Sequence, residues 1–226
     1  MPRSVLLLLV ITASARADDP GPARWHAAGH TGRGVRVVVL DTGFLGYRDA
    51  LGRHLPAKVE AKSFRADGDV EAGRGHGLAC AAVAHAVAPG ADLVLVNWEP
   101  DLPASFLAAV RWAVESRAQV LSCSVVIPGW GDGRGGGPVN AALARLLDGP
   151  GRPVFVAAAG NLAERHWAGD FRGAGRVHEW RPGEADNRLT PWPGADVAVD
   201  LAAPVGSTYR IRLMDAAGRE AGRTFA

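Results

Sequence analysis

Short, continuous apolar runs alternate with longer Ala-rich stretches along this chain, a pattern that predicts strands separated by helices. Val35–Leu40, Val59–Phe64, Leu93–Val96, Val120–Ile127 and Val154–Ala158 read as strands. Between them, Leu78–Ala88 reads as a buried helix ended by Pro89-Gly90, and Pro103–Arg117 has helical periodicity with Pro at its start. Val139–Leu147 completes the set, and Ala23–Gly29 is expected to form a helical turn. Strands that are apolar throughout, rather than alternating, are those buried on both faces, and helical connections make their sheet parallel. The expected fold class is therefore α/β, a parallel sheet with helices on both faces.

The pattern changes along the second half. Gly129–Gly137 is too Gly-rich to hold a regular element and reads as a loop. Trp167–Trp192 is rich in Trp, Arg, Gly and Pro without helical period. Asp196–Leu201 and Thr208–Leu213 then alternate as antiparallel strands do, with turn chemistry at Asp215–Gly218. Residues 176–226 are expected to form a β-rich segment. At the other end, Arg3, the apolar run Val5–Ile11 and Ala15-Arg16-Ala17 make an export signal over residues 1–17, which implies a secreted or periplasmic protein. The run is too short to span a bilayer, so no membrane span is expected after cleavage.

Composition bounds the reading without redirecting it. The chain has 226 residues, 48% of them hydrophobic, enough for a full α/β core and a smaller appendage. A formal net charge of +2 with no Lys/Arg run gives no footing for a nucleic-acid partner. Cys80 and Cys123, the only two cysteines, do not make a disulfide framework.

Candidate chemistry sits where strands end. Val35–Leu40 delivers Asp41-Thr42-Gly43 at its C-terminal end, the edge that faces the ligand crevice in open parallel sheets. A carboxylate there can orient a histidine and stabilise its imidazolium. Gly75-His76-Gly77 opens the helix that ends at Ala88-Pro89-Gly90-Ala91, and small flanking residues leave the imidazole accessible as a general base. Val154–Ala159 runs into Gly160-Asn161, which puts an amide at the same sheet edge, where it can donate to a developing oxyanion.

Together these three segments, in this order, resemble the subtilase family of serine proteases. The intervening Gln119–Val125 is similar to that family's substrate-binding strand, and the resemblance covers roughly Gly29 to Asn161. It implies a subtilisin-like three-layer sandwich, incomplete here, over residues 23–165, and peptide-bond hydrolysis by an Asp/His/Ser triad. Asp41 would be the orienting carboxylate, His76 the general base and Asn161 the oxyanion-hole donor. Ser122, Ser124 and Val125 would lie on the strand that pairs with an extended peptide or protein substrate by β-addition. Residues 176–226 look similar to the start of a β-sandwich that related bacterial subtilases insert before the serine.

The chain also departs from the family. Leu78 replaces the usual Thr after His-Gly, Ser122 stands where Asn is usual, and Cys80 sits one helical turn beyond His76. The family's Gly-Thr-Ser-x-Ala-x-Pro motif is missing: Ser63, Ser105, Ser116, Ser122, Ser124 and Ser207 all lack that context. The expectation is a truncated chain whose serine lies beyond Ala226, and hence little or no activity from these residues alone. The alternative is a non-catalytic, peptide-binding pseudoprotease. No cofactor is expected. Calcium sites occur in many subtilases, but the acidic stretch Asp67, Asp69, Glu71 reads more simply as a solvated loop. A metal-hydrolase reading of Asp41, His54, His76 and His85 lacks compact ligand spacing, and a dinucleotide loop would have to follow the first strand rather than precede it.

Overall fold

The computed structural model describes residues 21–127, 130–131, 135–160, 169–173, 177–189, 199, 201, 206 and 208–221. Its centre is the first strand, β1 (Arg36–Asp41), in which Val38, Val39, Leu40 and Asp41 are all buried. On one side of it lie β3 (Asp92–Trp98) and then β2 (Glu60–Phe64); on the other lie β4 (Val120–Cys123) and then β5 (Val154–Ala157). The five strands form a parallel sheet, as the unbroken apolar runs predict. Val39 stands opposite Leu95 on one neighbour and Ser122 on the other, and Asp41 stands opposite Asn97.

Both faces of the sheet are covered over its central strands. On one, Val39, Leu93 and Leu95 pack with Phe44, Tyr47, Leu55 and Ala81 in a single core cluster. These partners come from α2 (Tyr47–Ala50), from the turns around it, and from α3 (His76–Val87). The pleat sends alternate residues of β3 to the opposite face. There Trp98 meets Phe106 of α4 (Pro103–Glu115), with ring centroids 5.0 Å apart, and Phe64 of β2 meets Trp112 at 6.3 Å.

This division fixes the hand of the connections. The chain passes from β1 to β2 on the α2/α3 face, then returns through α3 to β3 in the reverse direction on that same face. The next move, through α4 to β4, runs on the other face. Reversing direction without changing face reverses the hand, so the α3 crossover is opposite to the other two. Right-handed crossovers are the rule in parallel sheets, so the exception is the one that carries His76.

Two compact units can be distinguished. The first comprises Met1–Cys123 and Leu147–Val156, and the second Ser124–Leu146 and Ala157–Ala226. The second contains most of α5 (Pro138–Leu147), whose Asn140 Nδ2 donates to Gly136 O at 2.8 Å. It also contains a tight hairpin about Asp215–Gly218, with Met214 bridged to Glu220 and the Ala221 N–H donating to Leu213 O at 2.7 Å.

Some expected boundaries shift. The helix expected at Leu78–Ala88 begins at His76 itself, and the strand expected at Val120–Ile127 leaves its ladder after Cys123. The short helix α2 has no sequence period to reveal it. Thr208–Leu213 is not a strand, although Ile211 and Leu213 are half-buried and Arg210 and Arg212 exposed as its alternation predicts. Alternation needs a partner strand before it becomes a ladder. Asp196–Leu201 falls outside the described residues, apart from 199 and 201.

Leu95 is fully buried between the central strand and α3's side of the core. Leu95→Ala is expected to lower stability by about 2–5 kcal/mol. Urea unfolding checks this, as a lowered midpoint with an unchanged slope.

Candidate active site

The central strand ends in a carboxylate that has almost no contact with water. Asp41's side chain is 2% exposed, so each oxygen requires a donor if the charge is to be held there. The Thr42 backbone N–H donates to Oδ1 at 2.8 Å, and His76 Nδ1 lies 2.7 Å from Oδ2. A carboxylate only accepts, so Nδ1 carries a ring proton, and in the neutral ring Nε2 keeps its lone pair. His76 is the first residue of α3, and its side chain is 56% exposed. The pair therefore joins an anchored anion to an imidazole that solutes can reach.

Glycines make this approach possible. A Cβ on Gly43 would lie 1.5 Å from Ala72 O, inside any allowed contact. A Cβ on Gly77 would lie 2.4 Å from Gly43 O and 2.8 Å from Asp41 Cβ. The end of β1, the loop around Ala72 and the first turn of α3 thus stack backbone against backbone. The sequence suggests that Gly beside His76 serves access to the ring, whereas Gly77 serves the packing beneath it.

A further residue, Asn97, escapes the sequence reading. It is fully buried at the end of β3, and its Nδ2 donates to Asp69 O at 2.8 Å and more weakly to Val70 O at 3.4 Å. Val70 O also accepts the Phe44 N–H at 2.9 Å. Asn97 thereby ties the segment before Ala72 to the turn after Asp41. The available signal is a lone amide interrupting Leu93-Val94-Leu95-Val96 before Trp98.

The acidic stretch in that segment is a loop with Asp67 and Asp69 exposed, and its carboxylates bond within the protein. Asp67 accepts from the Asp69 N–H and from Arg65, and Asp69 Oδ1 accepts from the Glu71 N–H at 2.9 Å. Glu71 in turn accepts from the Gly46 N–H and pairs with Arg48. Its carboxylates are spent on the protein's own backbone and arginines, as Asx turns spend them.

Cys80, one turn along α3, places Sγ 3.9 Å from both ring nitrogens of His76. Asp41, His76 and Cys80 each bring one ligand atom within 4.8 Å of the others. No disulfide joins Cys80 to Cys123. His54 is exposed in the turn after α2, His85 is half-buried late in α3, and neither enters this cluster.

The remaining expected site residues are placed as follows. Ser122 is half-buried in β4, opposite Val39. Ser124 and Val125 come after the ladder ends and belong to the second unit. In that unit, a Cβ on Gly160 would meet Val126 Cγ2 at 3.4 Å, so the chain before Asn161 lies beside the chain after Val125. Asn161, Ser207 and the expected signal at 1–17 lie outside the described residues.

Residues 32–189 match the family model described as the Subtilase family. A search of curated proteins finds no match. Among solved structures the chain is similar to MycP1, in a crystal structure with the N-terminal propeptide removed. The two share 25% identity with a TM-score of 0.43, over 61% of this chain and 47% of MycP1. The chain therefore spans about half the length of that protein (47%).

Two outcomes follow from this geometry. Gly43→Ala is expected to cost about 3 kcal/mol and to abolish the low-field Nδ1–H proton signal of His76. Gly75→Ala is the control, because its Cβ would meet nothing closer than 3.8 Å, and should change stability by less than about 1 kcal/mol. The Arg65 guanidinium holds the Asp67 carboxyl below its ordinary value of 3.8. A lowered folded-state value means that the contribution is complete above the ordinary pKa and is lost as pH falls through the lowered one. Urea midpoints of the wild type and Asp67→Asn should therefore differ near neutrality and converge in acid.

Proposed function

Because the chain belongs to the subtilase family, we propose that it is the Asp- and His-bearing portion of a subtilisin-like serine endopeptidase acting on extended peptide segments. The observation that carries this reading is the 2.7 Å contact between buried Asp41 and exposed His76 at the C-terminal edge of the central strand. A general base has to be oriented by a group that does not move, yet open to its proton donor. This pair meets both needs.

In the proposed reaction, His76 Nε2 takes the hydroxyl proton of a serine as its oxygen attacks the scissile carbonyl. The imidazolium that forms is stabilised by the Asp41 carboxylate, and the proton then passes from Nε2 to the leaving amine. Asn161 is assigned the amide that donates to the oxyanion. The backbone around Ser122, Ser124 and Val125 is assigned the pairing with substrate, supported by the end of the β4 ladder at Cys123. The peptidase portion is taken as residues 23–165. Residues 1–17 are assigned to export, with secretion or the periplasm as the destination. Among the described residues, no helix is long and apolar enough to cross a membrane.

The nucleophile is the missing group. Ser105 Oγ donates to Phe64 O at 2.7 Å, Ser116 Oγ donates to Ala113 O at 2.9 Å, and Ser63 Oγ accepts the Arg65 N–H. These hydroxyls are engaged with backbone groups. In subtilisin, removing the serine alone costs about as much turnover as removing the whole triad. The chain of 226 residues is therefore assigned no hydrolytic turnover by itself. The absent serine also favours a second reading, a peptide-binding scaffold that does not cut.

Casein and peptide hydrolysis assays on the purified chain test the assignment. The expected rate equals that of His76→Ala and of buffer. Robust cleavage that His76→Ala abolishes would show that the nucleophile lies within these residues, contrary to the proposal. Saturable binding of an extended peptide with no cleavage, even when a complementing serine-bearing segment is added, would support the scaffold reading instead.

A further inference from the structure

The cluster at the head of α3 brings together three different donor types: a carboxylate oxygen, an imidazole nitrogen and a thiol sulfur. We propose that Asp41, His76 and Cys80 form a site for a soft divalent cation of the Zn²⁺ class, ligated through Asp41 Oδ2, His76 Nδ1 and Cys80 Sγ. This goes beyond the protease assignment and does not depend on it.

The donor set selects the ion. Sulfur and imidazole suit Zn²⁺ and its relatives, whereas Ca²⁺ and Mg²⁺ require six or more oxygens, of which this cluster offers too few. Three protein ligands with a fourth position left to water is the arrangement of open zinc sites. The thiolate and carboxylate together balance the ion's two charges.

Distances allow it with movements of roughly an ångström or less. Sulfur to Nδ1 is 3.9 Å and Oδ2 to Nδ1 is 2.7 Å. Around a tetrahedral ion with ordinary Zn–S, Zn–N and Zn–O lengths, these edges become about 3.6 Å and about 3.3 Å. Cys80 must close slightly on Nδ1 and, from within 4.8 Å, by up to roughly an ångström on the carboxylate, while the Asp–His pair must open by roughly half an ångström. Asp41 is held by the Thr42 N–H and by its burial, so the exposed imidazole is the part that moves. That same exposure gives the ion its way in.

The protons balance simply. The thiol loses its proton to solvent, and the imidazole proton leaves Nδ1 and is taken up at Nε2. One proton is released per ion bound, and affinity falls as pH drops and the donors protonate. Occupancy also puts the ring proton on Nε2, the atom the protease reading needs as a base. If that reading holds, the ion and the proton relay exclude each other.

Titration of the full chain with Cd²⁺ and Co²⁺ tests the site. The readouts are the ultraviolet thiolate-to-metal band with Cd²⁺, the visible bands of tetrahedral Co²⁺, and proton release. We expect one ion per chain, about one proton released near neutrality, and loss of the thiolate band in Cys80→Ser with the fold retained by circular dichroism. Asp41→Asn should weaken binding by about tenfold or more. If it unfolds, a metal-induced shift of the His76 Nδ1 resonance in the wild-type protein serves in its place. The proposal is overturned if millimolar Cd²⁺ raises no thiolate band, if the band survives Cys80→Ser, or if the His76 Nδ1 resonance does not respond. None of these readouts involves hydrolysis.

Discussion

A carboxylate buried at the end of the central strand has to be compensated where it stands, and the architecture around Asp41 follows from that need. Its own next residue supplies one donor, and the second comes from His76, 35 positions later in the chain. An unpaired buried carboxylate would be strongly destabilising or would take up a proton. The folded state therefore holds the first turn of α3 against the end of β1. Backbones can come that close only because Gly43 and Gly77 lack side chains. Asn97 fastens the intervening segment from the neighbouring strand. One electrostatic requirement thus becomes a steric one, and the steric one is met by glycine.

The rest of the first unit supports this arrangement by ordinary packing. The strands are apolar on both faces, so helices have to cover each side. On the His76 side the covering helix is nearly all Ala and Gly in its buried contacts, which sets it close to the sheet. On the other side, larger rings fill the space between Trp98 and Phe106. The unusual hand of the α3 crossover belongs to the same scheme. It lets the helix lie over β1 and β3 with its first residue at the C-terminal edge of the sheet, where ligands bind in open α/β folds.

The two chemistries assigned to the dyad share atoms but make different demands on them. Proton transfer needs Nδ1 bonded to Asp41 and a lone pair at Nε2. Metal ligation needs the lone pair at Nδ1 and Cys80 within reach. The position of one ring proton distinguishes the two states. Cys80 gives the second state a third ligand because a helix places residues four apart on one face.

The sheet was legible in the sequence because burial on both faces leaves few polar positions in a strand, and Val37–Leu40 and Leu93–Val96 show none. Asp41 and His76 were legible because the motifs that carry them stand at element ends, where side chains become available for chemistry. The neighbourhood of Cys80 was half legible, since i and i+4 lie together on any helix, while the carboxylate across from it did not follow from spacing. What only the tertiary structure decided is whatever depends on contacts between distant segments. Examples are the role of Asn97, the self-satisfied acidic stretch, the early end of β4 and the lack of a ladder at Thr208–Leu213. Local pattern reports which face of an element is buried. It does not report which backbone atom waits on the other side, and at Gly43 and Gly77 that atom is what fixes the residue.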